Sequence, residues 1–374
     1  MEFRNLKKQY QALKPAMDQA MSRVLEDSNY ISGRQVAELE NELAAYVGVK
    51  HCITCANGTD ALTLALMAWG IGEGDAVFVP DFTFFSSAET VAYEGAVPVF
   101  TDILEDTFNM DPDSLERAVQ AVLAEGKLVP KVIVTVDLFG LPADYDRIRR
   151  IADQYGLYIL EDAAQGFGGT YHGKRAGSFG DLATTSFFPA KPLGCYGDGG
   201  AVFTDSDAWA ELLRSLRVHG KGSDKYDNVR IGMNSRLDTL QAAVLQVKLR
   251  AFDRELATVN QIAADYAESL KDCVKVPAVP EGLGSCWAQY SILLKDKKER
   301  DRIQSCLKEH GIPSMIYYQR GMHQQTAFSG CSLYKETFPV TTDVCGRVLS
   351  LPLSPYLTKE EQQQVIQLIR KEVF

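Results

Sequence analysis

Long hydrophobic runs are missing from the sequence. No stretch approaches roughly 18 uninterrupted apolar residues, the length that a membrane-spanning helix requires. The first nine residues, Met1 to Gln9, also lack the apolar segment of a secretory signal. We therefore expect a soluble cytoplasmic protein that has no membrane partner.

Basic residues are too few for a nucleic-acid-binding protein. The sequence has 39 Lys and Arg against 49 Asp and Glu, which gives a formal net charge of -10. Binding to nucleic acid requires a basic surface, so we expect no nucleic-acid partner. An anionic small substrate stays compatible with this charge, because it needs only a few local cations.

Closely spaced cysteine pairs of the kind that build a disulfide framework are also absent. The 8 cysteines are scattered along the chain, and we interpret them as reduced thiols. Cys52 and Cys55 match the C-x-x-C pattern, but no second pair and no nearby histidine accompanies them. We expect a structural strand there, and we expect no metal site.

The first two thirds of the 374 residues alternate short β-branched runs with helix-length amphipathic segments. Strands are predicted at 52–55, 76–79, 97–101, 131–136, 157–161, 182–186 and 201–204. Helices are predicted at 61–69, 86–93, 113–124, 147–155, 206–216 and 235–252, and the last of these opens an amphipathic run that continues to about 271. Because the connections are long crossovers, this pattern predicts a mostly parallel seven-stranded α/β sheet sandwiched by helices.

The pattern changes after this run, and the chain is longer than one hydrophobic core usually holds. Strands are predicted at 287–294 and 313–318, and helices at 298–310 and 359–372. We expect a large domain at 1–250 and a smaller C-terminal α+β domain at 251–374, with the boundary inside the long helix.

Lys191 and Asp162 are the most informative residues. Asp162 follows an apolar strand, and Lys191 precedes the glycine-rich turn at 197–200. Alone, a loop lysine is usually a solvated charge, and an aspartate after a strand is often a helix cap. Together they suit pyridoxal 5'-phosphate (PLP), with the lysine as Schiff base and the aspartate at the pyridine nitrogen. Glu161 should point to the opposite face of its strand, which makes Asp162 the better candidate.

Two other segments follow predicted strands. Residues 56–60 precede a helix, whose N-terminal N–H groups could bind a phosphate, although a plain turn with an Asp cap is the alternative. Residues 80–87 contain three phenylalanines, one of which could stack on a flat cofactor, while core packing is the competing use. Ligands of parallel sheets bind at this carboxyl edge.

The segments 161–165, 186–200 and 232–242 together resemble the DegT/DnrJ/EryC1/StrS family of sugar aminotransferases. The resemblance extends from 30–33 through 56–60 to Pro352 and so covers nearly the whole chain. It implies a PLP-dependent transferase of fold type I that works as a homodimer with active sites at the subunit interface.

The resemblance also implies roles for single residues. Lys191 is the Schiff-base lysine, Asp162 pairs with the pyridine nitrogen, and Gln165 lies near the ring hydroxyl. The other cofactor-binding positions are Gly58, Thr59 and Ser186 at the phosphate, Phe84 stacked on the ring, and Asn234 reaching the phosphate from the partner subunit. Some relatives carry histidine at the lysine position, so Lys191 favours amino transfer over dehydration.

The implied reaction is a ping-pong transfer of an amino group from L-glutamate to a keto group of a nucleotide-linked sugar. The segments 56–62 and 187–200 look most like those of enzymes that act on UDP-2-acetamido-3-oxo-glucuronic acid in glycan precursor synthesis. The substrate-binding positions would be Tyr30, Arg236, Tyr317, Tyr318 and His323.

Other interpretations stay open. Tyr317 replaces a histidine that close relatives tend to have, so a dTDP-linked 3-oxo or 4-oxo sugar is an alternative substrate. Arg236 could form a surface ion pair with Asp238 instead of binding the substrate. A loop predicted at 221–228 could order over the nucleotide. From another class, the chain could be a catalytically silent PLP-binding regulatory protein.

Overall fold

A seven-stranded sheet forms the centre of the large domain in this computed structural model, which describes residues 1–224, 226–329 and 337–373. The strands are β1 (His51–Cys55), β2 (Asp75–Pro80), β3 (Val97–Thr101), β4 (Val129–Val136), β5 (Tyr158–Asp162), β6 (Leu182–Ser186) and β7 (Gly200–Thr204). Their order across the sheet is β1-β7-β6-β5-β4-β2-β3. Only β7 runs against its neighbours in this sheet, which confirms the predicted mostly parallel arrangement.

Helices cover both faces of this sheet. In chain order the α-helices are α1 (Leu6–Asp27), α2 (Arg34–Val47), α3 (Gly58–Ala68), α4 (Ser86–Tyr93), α5 (Pro112–Glu125), α6 (Tyr145–Tyr155), α7 (Asp207–Leu216), α8 (Thr239–Leu270), α9 (Lys297–Glu309), α10 (Pro339–Arg347) and α11 (Lys359–Val373). Alternate residues of β2 enter different cores: Val77 and Val79 pack on one face, and Ala76 and Phe78 on the other. This alternation is why a strand buried on both faces is apolar throughout.

The sequence pattern predicts no element at residues 6–47, where the structure has α1 and α2. Both helices pack against α8. Their buried residues Met17, Leu39 and Leu43 join Val244 and Leu245 of α8 in one hydrophobic cluster. The N-terminal segment is therefore part of the large domain, and its apolar stripe is explained by this distant partner.

The C-terminal part contains a two-stranded antiparallel sheet of β8 (Tyr290–Leu293) and β9 (Val348–Leu351). The strand predicted at 313–318 was wrong. Only Met315 pairs there, as an isolated bridge with Ser350. Pro313 has no N–H to donate, and the chain leaves the sheet after Met315 to carry Tyr317 and Tyr318 toward the large domain.

The long helix α8 links the two parts of the chain. Its residues up to Phe252 pack in a cluster of the large domain, whereas those from Val259 onward pack with β8 and β9. The boundary at 250 stays a prediction, and this change of packing partners supports it. Within the described residues, no helix is both long and apolar enough to cross a membrane.

Shorter elements complete the described structure. They are the paired strands Thr170–Tyr171, Lys174–Arg175 and Leu283–Gly284, and the 3-10 helices Leu138–Gly140, Met322–Gln324 and Thr326–Phe328. The seven cysteines in the described ranges are all free. Cys331 lies outside the described residues.

Candidate active site

Lys191 lies in a compact loop between β6 and β7. Its backbone N–H donates to the carbonyl of Phe188 at 2.8 Å, and Cys195 N–H donates to Phe187 at 2.7 Å, so the loop folds back on itself. A side chain on Gly194 would place its Cβ 2.5 Å from the Pro189 carbonyl oxygen, so the turn requires glycine. Burial lowers the pKa of Lys191, which favours the neutral amine that can react with an aldehyde.

Asp162 ends β5 at the carboxyl edge of the sheet and is 5% exposed. Ser87 Oγ donates to its Oδ2 at 2.8 Å, and the N–H of Ala164 donates to its Oδ1 at 3.1 Å. Burial raises the pKa of Asp162, while these hydrogen bonds and the charge of Lys191 oppose that rise. A protonated pyridine nitrogen beside this carboxylate would compensate its burial.

Glu161 points to the opposite face of β5, as the strand pleat predicted. It is fully buried and accepts backbone hydrogen bonds from Gly177, from Phe179 at 2.7 Å and from Gly180 at 3.2 Å. The carboxyl of Asp137 at the end of β4 also bonds to it, and burial raises the pKa of both acids. Glu161 is therefore part of a structural acid pair behind the sheet edge.

The predicted phosphate-binding residues lie together at the start of α3. Asn57 caps this helix by accepting from Asp60 N–H at 2.8 Å, so Gly58 and Thr59 occupy its first turn. A Cβ on Gly58 would lie 2.6 Å from Cβ of Ser186, the last residue of β6. This junction of α3 and β6 presents backbone N–H groups, two hydroxyls and the positive end of a helix dipole, which suit a phosphate.

Gln165 connects the predicted cofactor site with the predicted sugar site. It is 4% exposed, its Oε1 accepts from the N–H of Phe139 at 2.9 Å, and its Nε2 donates to the hydroxyl of Tyr318 at 3.0 Å. The rings of Tyr318 and Phe84 have centroids 6.4 Å apart, and Phe84 is 53% exposed. The exposed ring of Phe84 is therefore available for stacking on a flat ring.

His323 is bound to a buried carboxylate. Its Nδ1 lies 2.6 Å from Oδ2 of Asp81, and its backbone N–H donates to Oδ1 at 2.7 Å. Asp81 follows β2 and is fully buried. This contact fixes the segment after Tyr318 against the turn that leads to Phe84. Tyr317 packs edge-on against Phe3, with ring centroids 6.3 Å apart.

Tyr30, Asn234 and Arg236 form a separate group. The carbonyl of Tyr30 accepts from Thr239 N–H at 2.9 Å, which places the tyrosine beside the start of α8. Asn234 is exposed, while the hydroxyl of its neighbour Ser235 bonds to Ala56 and Asp60. No contact among the described residues joins Tyr30, Asn234 or Arg236 to Lys191.

Arg236 makes no hydrogen bond or ion pair with any residue that the structure describes, and the ion pair with Asp238 considered above is not formed. Its guanidinium is therefore available for an anion. The predicted loop at 221–228 includes Lys225, which lies outside the described residues, and Lys221 pairs with Asn228 across it.

Residues 11–370 match the DegT/DnrJ/EryC1/StrS aminotransferase family. The chain belongs to this family.

Its curated relatives carry several different names. The UDP-2-acetamido-2-deoxy-3-oxo-D-glucuronate aminotransferase of Pseudomonas aeruginosa is 44% identical and covers 96% of each chain. A pleiotropic regulatory protein of Geobacillus stearothermophilus is 41% identical over 98% of this chain and 96% of the relative. The dTDP-3-amino-3,6-dideoxy-alpha-D-galactopyranose transaminase of Aneurinibacillus thermoaerophilus is 38% identical over 99% of this chain and 98% of the relative.

Solved structures of the family share the whole fold. A family aminotransferase from Brucella abortus superposes with a TM-score of 0.98 at 50% identity, over 100% of this chain and 99% of that one. NtdA from Bacillus subtilis with bound cofactor PMP superposes with a TM-score of 0.89 at 28% identity, over 97% of this chain and 82% of that one. These relatives confirm the predicted fold type I, PLP as the cofactor, and the activity of a sugar aminotransferase.

The residues present fit PLP. The first turn of α3 at Gly58 could bind its phosphate, and the buried carboxylate of Asp162 could pair with its ring nitrogen. The half-buried amine of Lys191 could react with its aldehyde. Among the described residues, no cluster of His, Cys, Asp and Glu could hold a metal ion.

Three residues that contact this site were missed from the sequence. Ser87 bonds Asp162 from 75 positions away, and Arg4 and Lys248 bond the loop that carries Lys191 from 188 and 54 positions away. Ser87 lies within segment 80–87, where a cofactor-stacking phenylalanine is predicted. Nothing in the local sequence pattern around Arg4 or Lys248 distinguishes them from ordinary surface charges.

Proposed function

We propose that this chain transfers the amino group of L-glutamate to the 3-keto group of UDP-2-acetamido-3-oxo-glucuronic acid, in two successive half-reactions, for glycan precursor synthesis. Lys191 and the buried Asp162 lie close enough for the charge of each to shift the pKa of the other, which supports the chemistry. The relative from Pseudomonas aeruginosa, 44% identical over 96% of the chain, supports the substrate.

Lys191 has two tasks in this proposal. Bound PLP supplies an aldehyde that accepts amines and a ring that withdraws electrons from the reacting carbon. The Lys191 Nζ attaches the cofactor and, once displaced by a substrate amine, moves the proton at the amine-bearing carbon. Asp162 keeps the ring nitrogen protonated, and Gly58, Thr59 and Ser186 hold the phosphate.

The sugar would bind on the side of the site that Tyr318 occupies. The hydroxyl oxygen of Tyr318 accepts a hydrogen bond from Gln165 Nε2, and His323 is held in place by Asp81. Tyr317 completes this wall of the site. Such fixed donors and rings orient a substrate with little loss of side-chain freedom.

Asn234, Arg236 and Tyr30 would act on the partner's site in a cytoplasmic homodimer. Asn234 is exposed although its backbone is anchored through Ser235, and nearby Ile231 is 88% exposed, as expected of a surface that a second copy covers. The free Arg236 fork would bind the sugar carboxylate or diphosphate. A fully active monomer in gel filtration at assay concentration would contradict this arrangement.

A dTDP-linked keto sugar is the second candidate substrate, because a relative that is 38% identical is named for a dTDP-linked product. The name of the relative from Geobacillus stearothermophilus keeps a regulatory role as a candidate from another class. The three candidates differ in which amine, if any, the purified protein produces.

The deciding experiment supplies isotope-labelled L-glutamate together with either keto sugar and follows the sugar by mass spectrometry. We expect the label in the amino group of the UDP-linked product, and no labelled sugar with Lys191→Ala. Label only in a dTDP-linked product would overturn the substrate assignment, and label in neither would favour the regulatory candidate.

A further inference from the structure

Two cations hold the loop that carries Lys191. Arg4 Nη2 donates to the carbonyl of Pro192 at 2.9 Å, and Lys248 Nζ donates to the carbonyl of Gly194 at 2.6 Å. Arg4 lies just before α1, and Lys248 lies within α8. The turn immediately after the cofactor-binding lysine is thus fixed from two distant parts of the chain.

Lys248 is an unusual residue to bury in this position. It is 3% exposed, its Nζ lies 4.4 Å from the ring centroid of Tyr196, and it forms no ion pair with a described residue. Burial and, to a smaller extent, the charge of Arg4 lower the pKa of Lys248 to about 8, against the opposing effects of Cys195 and Glu255. A buried ammonium without a carboxylate costs free energy, so global stability gives little reason to keep it.

Arg4 likewise has no carboxylate in contact among the described residues. The nearby Glu255 is committed to Gln9 at 2.7 Å and to Tyr356 at 2.6 Å. The guanidinium charge therefore acts on its surroundings without direct neutralisation. It lowers the pKa of Lys191, together with burial, while Asp162 and Cys286 act in the opposite direction.

We propose that Arg4 and Lys248 position Lys191 for the cofactor: they fix its turn through the carbonyls of Pro192 and Gly194, and Arg4 brings a positive charge to that turn. This inference rests on Lys191 binding the cofactor, as in the proposed function. These two restraints on the loop are strong, since charge-assisted hydrogen bonds are roughly twice as strong as neutral ones.

Arg4 is tested through the proton on the lysine nitrogen. The pH midpoint of the visible absorbance change of the PLP-loaded protein reports that proton. Arg4→Gln removes the charge, which favours the protonated form, so the midpoint should rise by about 0.5 to 1 pH unit. Arg4→Lys keeps the charge and should leave the midpoint within about 0.2 unit, as should the matched control Lys7→Gln on the exposed side of the same segment.

Lys248 is tested through cofactor affinity. Lys248→Met keeps the aliphatic stem and removes the bond to Gly194, so the Kd for PLP should rise about tenfold. The melting temperature of the cofactor-free protein should not fall, because an apolar side chain replaces a buried charge. If Lys248 were merely structural, its replacement would lower the melting temperature and weaken PLP binding together.

Two results would overturn the proposal: an unchanged pH midpoint in Arg4→Gln, or unchanged PLP affinity in Lys248→Met. If Arg4→Gln does not fold, the Lys248→Met titration decides. Lys191→Ala separates this proposal from the proposed function. If that variant keeps the wild-type absorbance band, the assignment of Lys191 itself fails. If it loses the band while Arg4→Gln and Lys248→Met behave like the wild type, only the role of Arg4 and Lys248 is contradicted.

Discussion

At the scale of single residues, burial and hydrogen bonding give two neighbouring acids different tasks. Asp162 faces the cofactor site and is restrained by Ser87, whereas Glu161 faces the opposite side and accepts three backbone hydrogen bonds. Oδ2 of Asp137 has no donor among the described residues. We therefore place a proton on Asp137, which donates it to the Glu161 carboxylate.

This shared proton makes stability depend on pH. Burial raises the pKa of Asp137 well above its usual value, so its contribution to stability is present at low pH and is lost as the pH rises from about 4 through the folded-state pKa. Asp137→Asn supplies a permanent donor to Glu161. Between pH 5.5 and 8.5, the free energy of unfolding should fall in both proteins. The fall should be smaller in the variant than in the wild type by at least about 1 kcal/mol.

Urea unfolding at the two pH values measures this difference. The exposed Asp272→Asn is the matched control and should behave like the wild type. Equal losses in Asp137→Asn and in the wild type would show that Asp137 is ionised in the folded protein.

Residues inside contiguous motifs could be identified from the sequence, and residues that act from afar could not. Lys191 and Asp162 are distinguished by the strand before them and the glycines after them. Arg4 and Lys248 contact the Lys191 loop only because α1 and α8 pack beside it. Their role is a property of the tertiary fold.

At the scale of elements, the active site depends on how α3 begins against the end of β6. The helix starts at Gly58, three residues earlier than predicted, because Asn57 caps it. All seven strands of the large sheet lie within two residues of their predicted bounds. Their apolar runs are continuous, whereas α1 and α2 were missed because their apolar faces match a distant helix.

Gly58→Ala tests the predicted phosphate-binding site at the start of α3. The added Cβ would lie 2.6 Å from Cβ of Ser186, so one of the two elements must shift and the phosphate site must narrow. We expect the Kd for PLP to rise at least about tenfold, although alanine favours a helix more than glycine does.

Titration of the cofactor-free protein with PLP measures this affinity. Gly346→Ala, where an added Cβ meets nothing within 4 Å, is the matched control and should bind PLP normally. Normal affinity in Gly58→Ala would place the phosphate elsewhere.

At the scale of the whole molecule, the described structure brings ten of the thirteen predicted site residues around one edge of the sheet and leaves Tyr30, Asn234 and Arg236 apart. The family resemblance implies that Asn234 reaches the cofactor phosphate from the partner subunit, and we propose the same arrangement for Tyr30 and Arg236. In the proposed homodimer, the partner subunit's copies of these three residues would complete the site. In that arrangement the sugar specificity would depend on the subunit boundary, which local sequence patterns do not describe.

The most direct test of the account is a visible absorbance scan of the PLP-loaded protein, repeated after L-glutamate and again after the UDP-linked 3-oxo sugar. We predict a cofactor band that glutamate removes and the sugar restores, and no such band in Lys191→Ala. If only a dTDP-linked keto sugar restores the band, the aminotransferase activity stands and the substrate assignment is wrong. A band that glutamate leaves unchanged, or that persists in Lys191→Ala, would contradict the central claim that Lys191 carries out amino transfer.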